Sequence, residues 1–152
     1  MISNDDFWGD TVMKMTATVD WAGKMTFIGK GMKTGHSVTM DGGADTGGLG
    51  LGVSPMEMLL MGAGGCAAID IVMILKKARQ NIENVHVTID GDRSEEIPKV
   101  FTKLHLNFTV IGQDLNEAQV ARAVELSMSK YCSVSLTLAQ GCEMSWAHAI
   151  EA

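Results

Sequence analysis

The chain has 152 residues, of which 46% are hydrophobic and 20% are charged. These values are typical of a folded globular protein and exclude a disordered one. The net charge of −6 and the isoelectric point near 5.1 argue against a nucleic-acid-binding protein, because such binding depends on clustered Lys and Arg side chains. The length predicts a single domain over residues 1–152, with residues 1–11 as a flexible N-terminal extension. That acidic N-terminus lacks the basic and apolar regions of a secretory signal, which predicts a cytoplasmic protein.

Residues 12–40 alternate between apolar and polar side chains, a pattern typical of strands with one solvated face. Three strands are predicted, over residues 12–20, 25–30 and 36–40. The next segment, residues 42–52, contains six glycines among eleven residues and predicts a mobile connection. It lacks the GK[ST] ending of a P-loop, and the neighbouring acids Asp41 and Asp45 would repel a phosphate, so nucleotide binding is not predicted.

Residues 53–80, VSPMEMLLMGAGGCAAIDIVMILKKARQ, predict a long and almost wholly apolar helix. Ser54 is the predicted N-cap and Pro55 the first helical residue, and Glu57 completes a capping box. The segment is about long enough to cross a bilayer, but it contains Glu57 and Asp70, and the amphipathic elements around it need it as their core. We therefore predict no membrane span. One short chain offers little cover for such a helix, which suggests that a partner subunit covers the rest.

The second half of the chain predicts an α+β arrangement. Two strands are expected over residues 84–92 and 99–110. A second capping box at residues 114–117 opens a helix that runs to about residue 130, and its apolar positions recur at helical spacing. Two further strands are predicted over residues 133–138 and 143–150.

Chemistry is predicted at Cys66, which lies in the apolar helix between Glu57 and Asp70. A buried carboxylate costs several kcal/mol unless it is paired or coordinated, so two acids flanking a thiol need an explanation. The alternative for Glu57 is its structural role in the capping box. The three cysteines are too few and too scattered for a disulfide scaffold, and the four histidines show no metal-ligand spacing. We predict no metal and no cofactor.

With these residues in hand, the chain resembles the OsmC/Ohr superfamily, most closely its YhfA-like branch. The resemblance rests on SPMEMLLMGAGGC (residues 54–66), on the apolar continuation of that helix, and on KYCSVSLTL (residues 130–138). It implies an intertwined α+β homodimer with long central helices flanked by antiparallel sheets. It also implies a thiol peroxidase that reduces organic hydroperoxides, in which Cys66 attacks the peroxide and Cys132 resolves it as a disulfide. The implied reductant is a small dithiol or a lipoylated protein.

The chain departs from the peroxidase branches at the residues that activate the cysteine. Met56 stands where those branches have a glutamate that holds a catalytic arginine, and the acid follows one residue later, at Glu57. On an ideal helix Met56 lies about 80° from Cys66, whereas Glu57 lies about 180° away. Glu57 therefore reaches the thiol only from the other subunit, or if the glycine-rich stretch 62–65 bends the helix.

The arginine itself is also missing, since the first arginine of the chain is Arg79. Lys30 or Lys33 is a possible substitute, although neither offers the planar fork of a guanidinium group. A helix break at residues 64–65 would place Cys66 near a new helix N-terminus, whose dipole favours the thiolate.

Three interpretations of the function stay open. The first is a peroxidase that uses Cys66 and Cys132, with Glu57 as a further candidate catalytic residue. The second is a non-catalytic dimer that binds an apolar small molecule between its subunits. The third is a structural role in which both cysteines only fill the core. Cys142 is predicted to take no part in the chemistry.

Overall fold

The computed structural model describes residues 14–152, which form two compact units. The first unit ends at Pro55 and the second begins at Met56. The predicted N-terminal extension, residues 1–11, lies outside the described residues.

The first unit is a three-stranded antiparallel meander. Its strands are β1 (Ala17–Trp21), β2 (Thr26–Gly31) and β3 (Ser37–Asp41), with β2 in the centre. The three strands agree with the predicted ones to within a residue at most boundaries. The exception is the start of the first strand, which was predicted at residue 12 but lies at Ala17. Residues 14–16 are outside the strand, and residues 12 and 13 lie outside the described residues.

The glycine-rich loop after β3 is held by the carboxylate of Asp41, which is only 3% exposed. One of its oxygens, Oδ2, accepts hydrogen bonds from Leu51 N (3.0 Å), Thr26 Oγ1 (3.2 Å) and Leu49 N (3.4 Å). A side chain at Gly48 would collide with the carbonyl of residue 42, so only glycine lets the loop close around Asp41. The segment predicted as a mobile connection is therefore anchored at its centre.

This anchor predicts a pH dependence of stability. The hydrogen bond from Leu51 N, helped by those from Thr26 and Leu49, lowers the pKa of Asp41 in the folded protein. The ionised carboxylate thus stabilises the fold above the unfolded-state pKa of about 3.9, and that stabilisation is lost as the pH falls through the lower, folded-state value. We expect Asp41→Asn to lower the thermal unfolding midpoint at pH 7 and to flatten its fall below about pH 4. The control, Asp45→Asn in the same loop, should follow the wild-type curve, and parallel curves for Asp41→Asn and wild type would contradict the assignment.

The second unit contains a sheet in the order β4–β5–β6. Strands β4 (Asn81–Arg93) and β5 (Phe101–Gln113) pair antiparallel, whereas β6 (Glu143–Glu151) pairs parallel to β5. A parallel pair needs a crossover connection, and helices α2 (Glu117–Leu126) and α3 (Ser133–Leu138) lie in that connection. The mixed sheet with its helices confirms the predicted α+β class.

Helix α1 (Pro55–Lys77) begins at the predicted residue and continues without a break past both central glycines. The helix break at residues 64–65, which would have placed Cys66 near a new helix N-terminus, does not occur. Gly64 instead allows the helix to approach the sheet closely, because a Cβ atom there would lie 2.6 Å from Cδ1 of Ile89 on β4. The tail that was predicted as helical forms a turn, in which Arg79 has a positive φ of 56°.

The core of the second unit lies between α1, α2 and the inner face of the sheet. Every second residue of β5 points into it, as the strand period requires. Its buried apolar side chains are Ala67, Ile71 and Leu75 from α1, Leu104, Leu106, Phe108 and Val110 from β5, and Val120, Ala123 and Val124 from α2. Met128 and Cys132, beyond α2, complete this core. The segment that carries Cys132 is thereby packed against the long helix.

Two predictions in the crossover need correction. Residues 133–138 were predicted as a strand but form helix α3, in which the Thr137 hydroxyl donates to Ser133 O (2.7 Å). The place beside β5 is taken by β6, so the short Ser- and Thr-rich segment is helical despite its alternating pattern. Helix α2 is capped by Asn116, whose Oδ1 accepts from Gln119 N (3.0 Å), rather than by Asp114. It ends at Leu126 and is followed by a π turn, Ser127–Tyr131.

Helix α1 is long and apolar enough to cross a membrane by length and composition alone, with a mean hydropathy of 2.1 over its most apolar window. A core helix of a soluble protein passes the same test. Here one side of α1 packs into the core, while another side leaves Met61, Ile69 and Met73 exposed.

Candidate active site

Cys66 and Asp70 lie on nearly the same face of α1. They are four residues apart on an unbroken helix, so their side chains differ by only about 40° in direction. The neighbouring residues Ala63 and Ala67 are fully buried, whereas Cys66 is half-buried. The thiol thus lies at the border between the core and the surface.

Cys132 lies at the junction between the π turn and α3, with its sulfur near that of Cys66. It is the N-cap of α3, and its Sγ accepts a hydrogen bond from Ser135 N (3.4 Å). The thiol also donates to Ser135 Oγ (3.1 Å), and the residue is fully buried. Its sulfur also lies 3.9 Å from Ala63 O on α1, and these contacts in a buried position keep the sulfur in one place.

These elements bring Cys66, Asp70 and Cys132 together. The two sulfur atoms and a carboxylate oxygen of Asp70 all lie within 4.8 Å of one another. Ser127, the first residue of the π turn, donates from Oγ to Ala67 O (3.1 Å) and also contacts Asp70 Oδ2 (3.4 Å). The cluster can exchange protons among its three members, form a disulfide after a small movement, or hold a metal ion.

Burial raises the pKa of the Cys132 thiol, and the adjacent Cys66 raises it further. The hydroxyl and backbone N–H of Ser135 oppose this by stabilising the thiolate, but burial is the larger effect. A buried thiol of raised pKa is a poor attacking group at neutral pH. Of the two cysteines, Cys66 is therefore the one that a reagent from solution meets first.

The unbroken helix removes the help that a helix N-terminus would give to Cys66. The first residue of α1, Pro55, lies eleven positions earlier, and the effect of a helix dipole falls off within about one turn. No helix end at residues 64–65 therefore stabilises a thiolate at Cys66.

The structure does not bring Glu57 to Cys66 within one chain. Nine residues of helix separate them by about 13 Å along the axis and by about half a turn around it. The catalytic role of Glu57 stays a prediction that requires the second subunit. Lys30 at the end of β2 and Lys33 in the turn after it belong to the first unit, and both are exposed. Their part in the site also stays a prediction.

A groove with a volume of about 370 Å³ lies beside the cluster. Its lining residues are Asp70, Met73, Ile74, Lys77 and Tyr131. Asp70 lines the groove and also belongs to the cluster, so the groove borders the cluster at this carboxylate. Its walls combine apolar side chains with one cation, Lys77, and suit a small, mostly apolar molecule.

Cys142 lies apart from the cluster. Its thiol donates to Leu138 O (3.3 Å), and burial raises its pKa. Its half-buried side chain lines a different apolar cavity, together with Met56 and Phe101. This position suits the predicted absence of a chemical role and makes Cys142 a useful control for the other two thiols.

Sequence reasoning noted Asp70 beside Cys66 but missed that it also meets Cys132. The four-residue spacing on a helix predicts the first proximity. Cys132 lies more than sixty positions further along the chain, and no local pattern predicts that its sulfur reaches Asp70.

Comparison with known proteins assigns the family. The sequence model described as "OsmC-like protein" matches residues 45–147. The chain belongs to the OsmC-like family. Within this family it is 44% identical over 138 residues to Protein YhfA of Escherichia coli K12, an alignment that covers 91% of this chain and 99% of YhfA.

Solved structures confirm that the fold is the one seen in this family. A hypothetical protein from Aquifex aeolicus is 27% identical, with a TM-score of 0.76 and coverage of 91% of this chain and 98% of that one. An organic hydroperoxide resistance protein from Elizabethkingia anophelis superposes with a TM-score of 0.69, covering 93% of this chain and 99% of its own. At 16% identity, the second likeness shows the shared fold alone.

Proposed function

We propose that this OsmC-like protein is a thiol-dependent peroxidase that reduces organic hydroperoxides, with Cys66 as the attacking residue and Cys132 as the resolving residue. The observation that carries the proposal is the pair of sulfur atoms, which lie within 4.8 Å of each other and come from distant parts of the chain. Their unequal burial supports the division of roles, because Cys66 borders the surface and Cys132 is fully enclosed.

The reaction has two steps on the protein. The Cys66 thiolate attacks the terminal oxygen of the hydroperoxide and the O–O bond breaks, so the substrate leaves as an alcohol once its alkoxide takes up a proton. Cys66 is left as a sulfenic acid. The Cys132 sulfur then attacks the Cys66 sulfur, the hydroxyl group leaves as water, and a disulfide joins the two residues. Asp70, whose carboxylate oxygen lies within 4.8 Å of both sulfur atoms, is the group nearest to accept a proton from one thiol and return it to the leaving oxygen.

The disulfide is reduced by an external dithiol, of which a dihydrolipoyl group, the reduced form of the lipoyl group, is one example. A thiolate of the reductant attacks one sulfur of the disulfide, and its second thiol resolves the mixed disulfide, so the reductant leaves oxidised and both cysteines are thiols again. This chemistry needs no bound cofactor. It suits a reducing compartment such as the cytoplasm.

The functional unit is proposed to be a homodimer that covers the exposed side of α1. Positions 61, 65, 69 and 73, four residues apart, form a stripe along one side of α1. Met61, Ile69 and Met73 are exposed there, and Gly65, which has no side chain, would let another helix approach closely. Ile69 and Met73 also line a groove of about 450 Å³ beside the start of β4. An apolar stripe of this length on a small protein favours self-association through the same patch on two copies.

One observation favours a second function, the binding of an apolar small molecule. The first unit contains a cavity of about 420 Å³ that is lined mainly by apolar side chains, among them Val19, Phe27 and Met40. Cavities of this size and character bind small apolar ligands. Ligand binding there would survive Cys66→Ser, whereas peroxidase activity would not.

A single-turnover experiment tests the peroxidase proposal. Fully reduced protein is mixed with one equivalent of cumene hydroperoxide without any external reductant. We expect about one equivalent of the alcohol per chain, because two thiols supply the two electrons that the O–O bond requires. Peptide mapping should find a disulfide between Cys66 and Cys132, both in wild type and in Cys142→Ser. Unchanged hydroperoxide, or a disulfide that includes Cys142, would refute the proposal.

A further inference from the structure

We propose that Cys66, Asp70 and Cys132 form a binding site for Zn²⁺. Three atoms of types that zinc accepts, two cysteine sulfurs and one carboxylate oxygen, lie within 4.8 Å of one another. They come from a helix and from a turn more than sixty residues away, so the tertiary fold rather than a local sequence motif assembles the site.

The spacing of the three atoms suits a tetrahedral zinc ion. Zinc binds thiolate sulfur at about 2.3 Å and carboxylate oxygen at about 2.0–2.2 Å, so two tetrahedral sulfur ligands lie about 3.8 Å apart. The present separations, none above 4.8 Å, need to shrink by no more than about 1 Å. The half-buried side chains of Cys66 and Asp70 can rotate that far while Cys132 stays fixed in the core.

The donor atoms select for zinc among the common divalent ions. Calcium and magnesium prefer shells made wholly of oxygen, and two thiolates disfavour them. Zinc accepts mixed sulfur and oxygen ligands. Three protein ligands with water as the fourth give a site that stays open on the side of the Asp70 groove.

Neighbouring groups already hold two of the three ligands, Asp70 and Cys132, in the way that outer partners of a metal site do. Ser127 contacts the carboxylate of Asp70 at 3.4 Å and bonds the helix backbone at Ala67. The backbone N–H of Ser135 points at the sulfur of Cys132. Such contacts orient ligands before the metal arrives and raise its affinity. Neither contact involves Cys142, which lies outside the cluster.

Zinc binding does not depend on peroxidase activity, because it needs only the reduced thiols. If the proposed function also holds, the two uses of the sulfurs exclude each other: a zinc-bound Cys66 cannot attack a hydroperoxide, and a disulfide leaves no thiolate for zinc. Zinc would then act as a reversible inhibitor of the same site.

The test uses reduced, metal-free full-length protein in a Cys142→Ser background, so that only the two site thiols are counted. Zn²⁺ affinity is measured by competition with a chromophoric chelator. We expect one tightly bound zinc ion per chain, and a loss of affinity of at least about tenfold in Asp70→Asn and in Cys66→Ser. A matched change of an exposed acid on β4, Asp90→Asn, should leave the affinity unchanged.

Two further readouts do not depend on turnover. Bound Co²⁺ should show a sulfur-to-metal charge-transfer band that weakens in Cys66→Ser, and Zn²⁺ should slow the alkylation of Cys66 until a chelator is added. Cys132 is buried, so its replacement by serine can prevent folding. In that case Cys66→Ser and Asp70→Asn decide whether zinc binds at the cluster, and far-ultraviolet circular dichroism checks that each variant is folded. Absence of zinc binding, or equal affinity in Asp70→Asn and Asp90→Asn, would overturn the proposal whether or not the protein reduces hydroperoxides.

Discussion

Replacement of Cys66 by serine is expected to lower the rate of hydroperoxide reduction by a factor of about 10³ or more, the scale of loss seen when an enzyme loses its nucleophile. A serine hydroxyl at this position stays protonated, and Cys132 cannot take over because it is fully buried and burial raises its pKa. The measurement is consumption of cumene or tert-butyl hydroperoxide with an excess of a dithiol, at equal protein concentrations.

Cys132→Ser and Cys142→Ser separate the roles of the other thiols. Without Cys132 the first step remains, so we expect one equivalent of alcohol to form and a sulfenic acid or a higher oxide to accumulate at Cys66. Cys142→Ser should turn over at the wild-type rate, because its thiol lies outside the cluster. Equal turnover by wild type and Cys66→Ser would remove Cys66 from the mechanism and refute the peroxidase proposal. No turnover by either protein would favour the ligand-binding function.

Ile69→Glu on the exposed stripe of α1 is expected to convert the proposed homodimer into monomers. Ile69 is 62% exposed in the single chain, and the proposed interface would bury the new carboxylate in both subunits without a partner. Each such burial costs several kcal/mol, so the dimer dissociation constant should rise by a factor of about 10³ or more. Sedimentation velocity at micromolar protein concentration measures the change directly.

The matched control adds the same charge to an exposed helical position away from the stripe. Ala118→Glu lies in the first turn of α2, where an acid is also favourable to the helix dipole, and should leave the dimer intact. A wild-type protein that is monomeric at these concentrations, or an Ile69→Glu variant as dimeric as Ala118→Glu, would contradict the proposed interface.

Local patterns predicted most elements of the fold. The alternating strands β1 to β3, the helix that begins at Pro55 and the paired strands β4 and β5 all appear close to their predicted bounds. Hydrophobic periodicity and helix-capping residues depend on residues only a few positions apart, so they can be recognised from the sequence alone. These patterns failed where contacts distant in the sequence set the secondary structure. Residues 133–138 alternate like a strand, but β6 pairs with β5 in their place and the segment forms helix α3.

The glycines of α1 show a second limit of sequence-based prediction. Gly64 and Gly65 have a low helix propensity, which favours a break when they are considered alone. In the fold, Gly64 faces Ile89 of β4, and its missing side chain lets the helix and sheet pack closely. The packing outweighs the propensity, so the helix continues and Cys66 lies in its interior.

The residues of the site divide along the same line. The closeness of Cys66 and Asp70 follows from their four-residue spacing on a helix. The family resemblance predicted that Cys132, after the second helix, belongs to the site. The meeting of Cys132 with both of them, its complete burial and its contact with Ser135 depend on how α1 packs against the crossover of the sheet. Helical spacing acts over a single turn, whereas this cluster joins groups that are distant in the chain, and only the burial of a shared apolar core brings such groups within reach of one another.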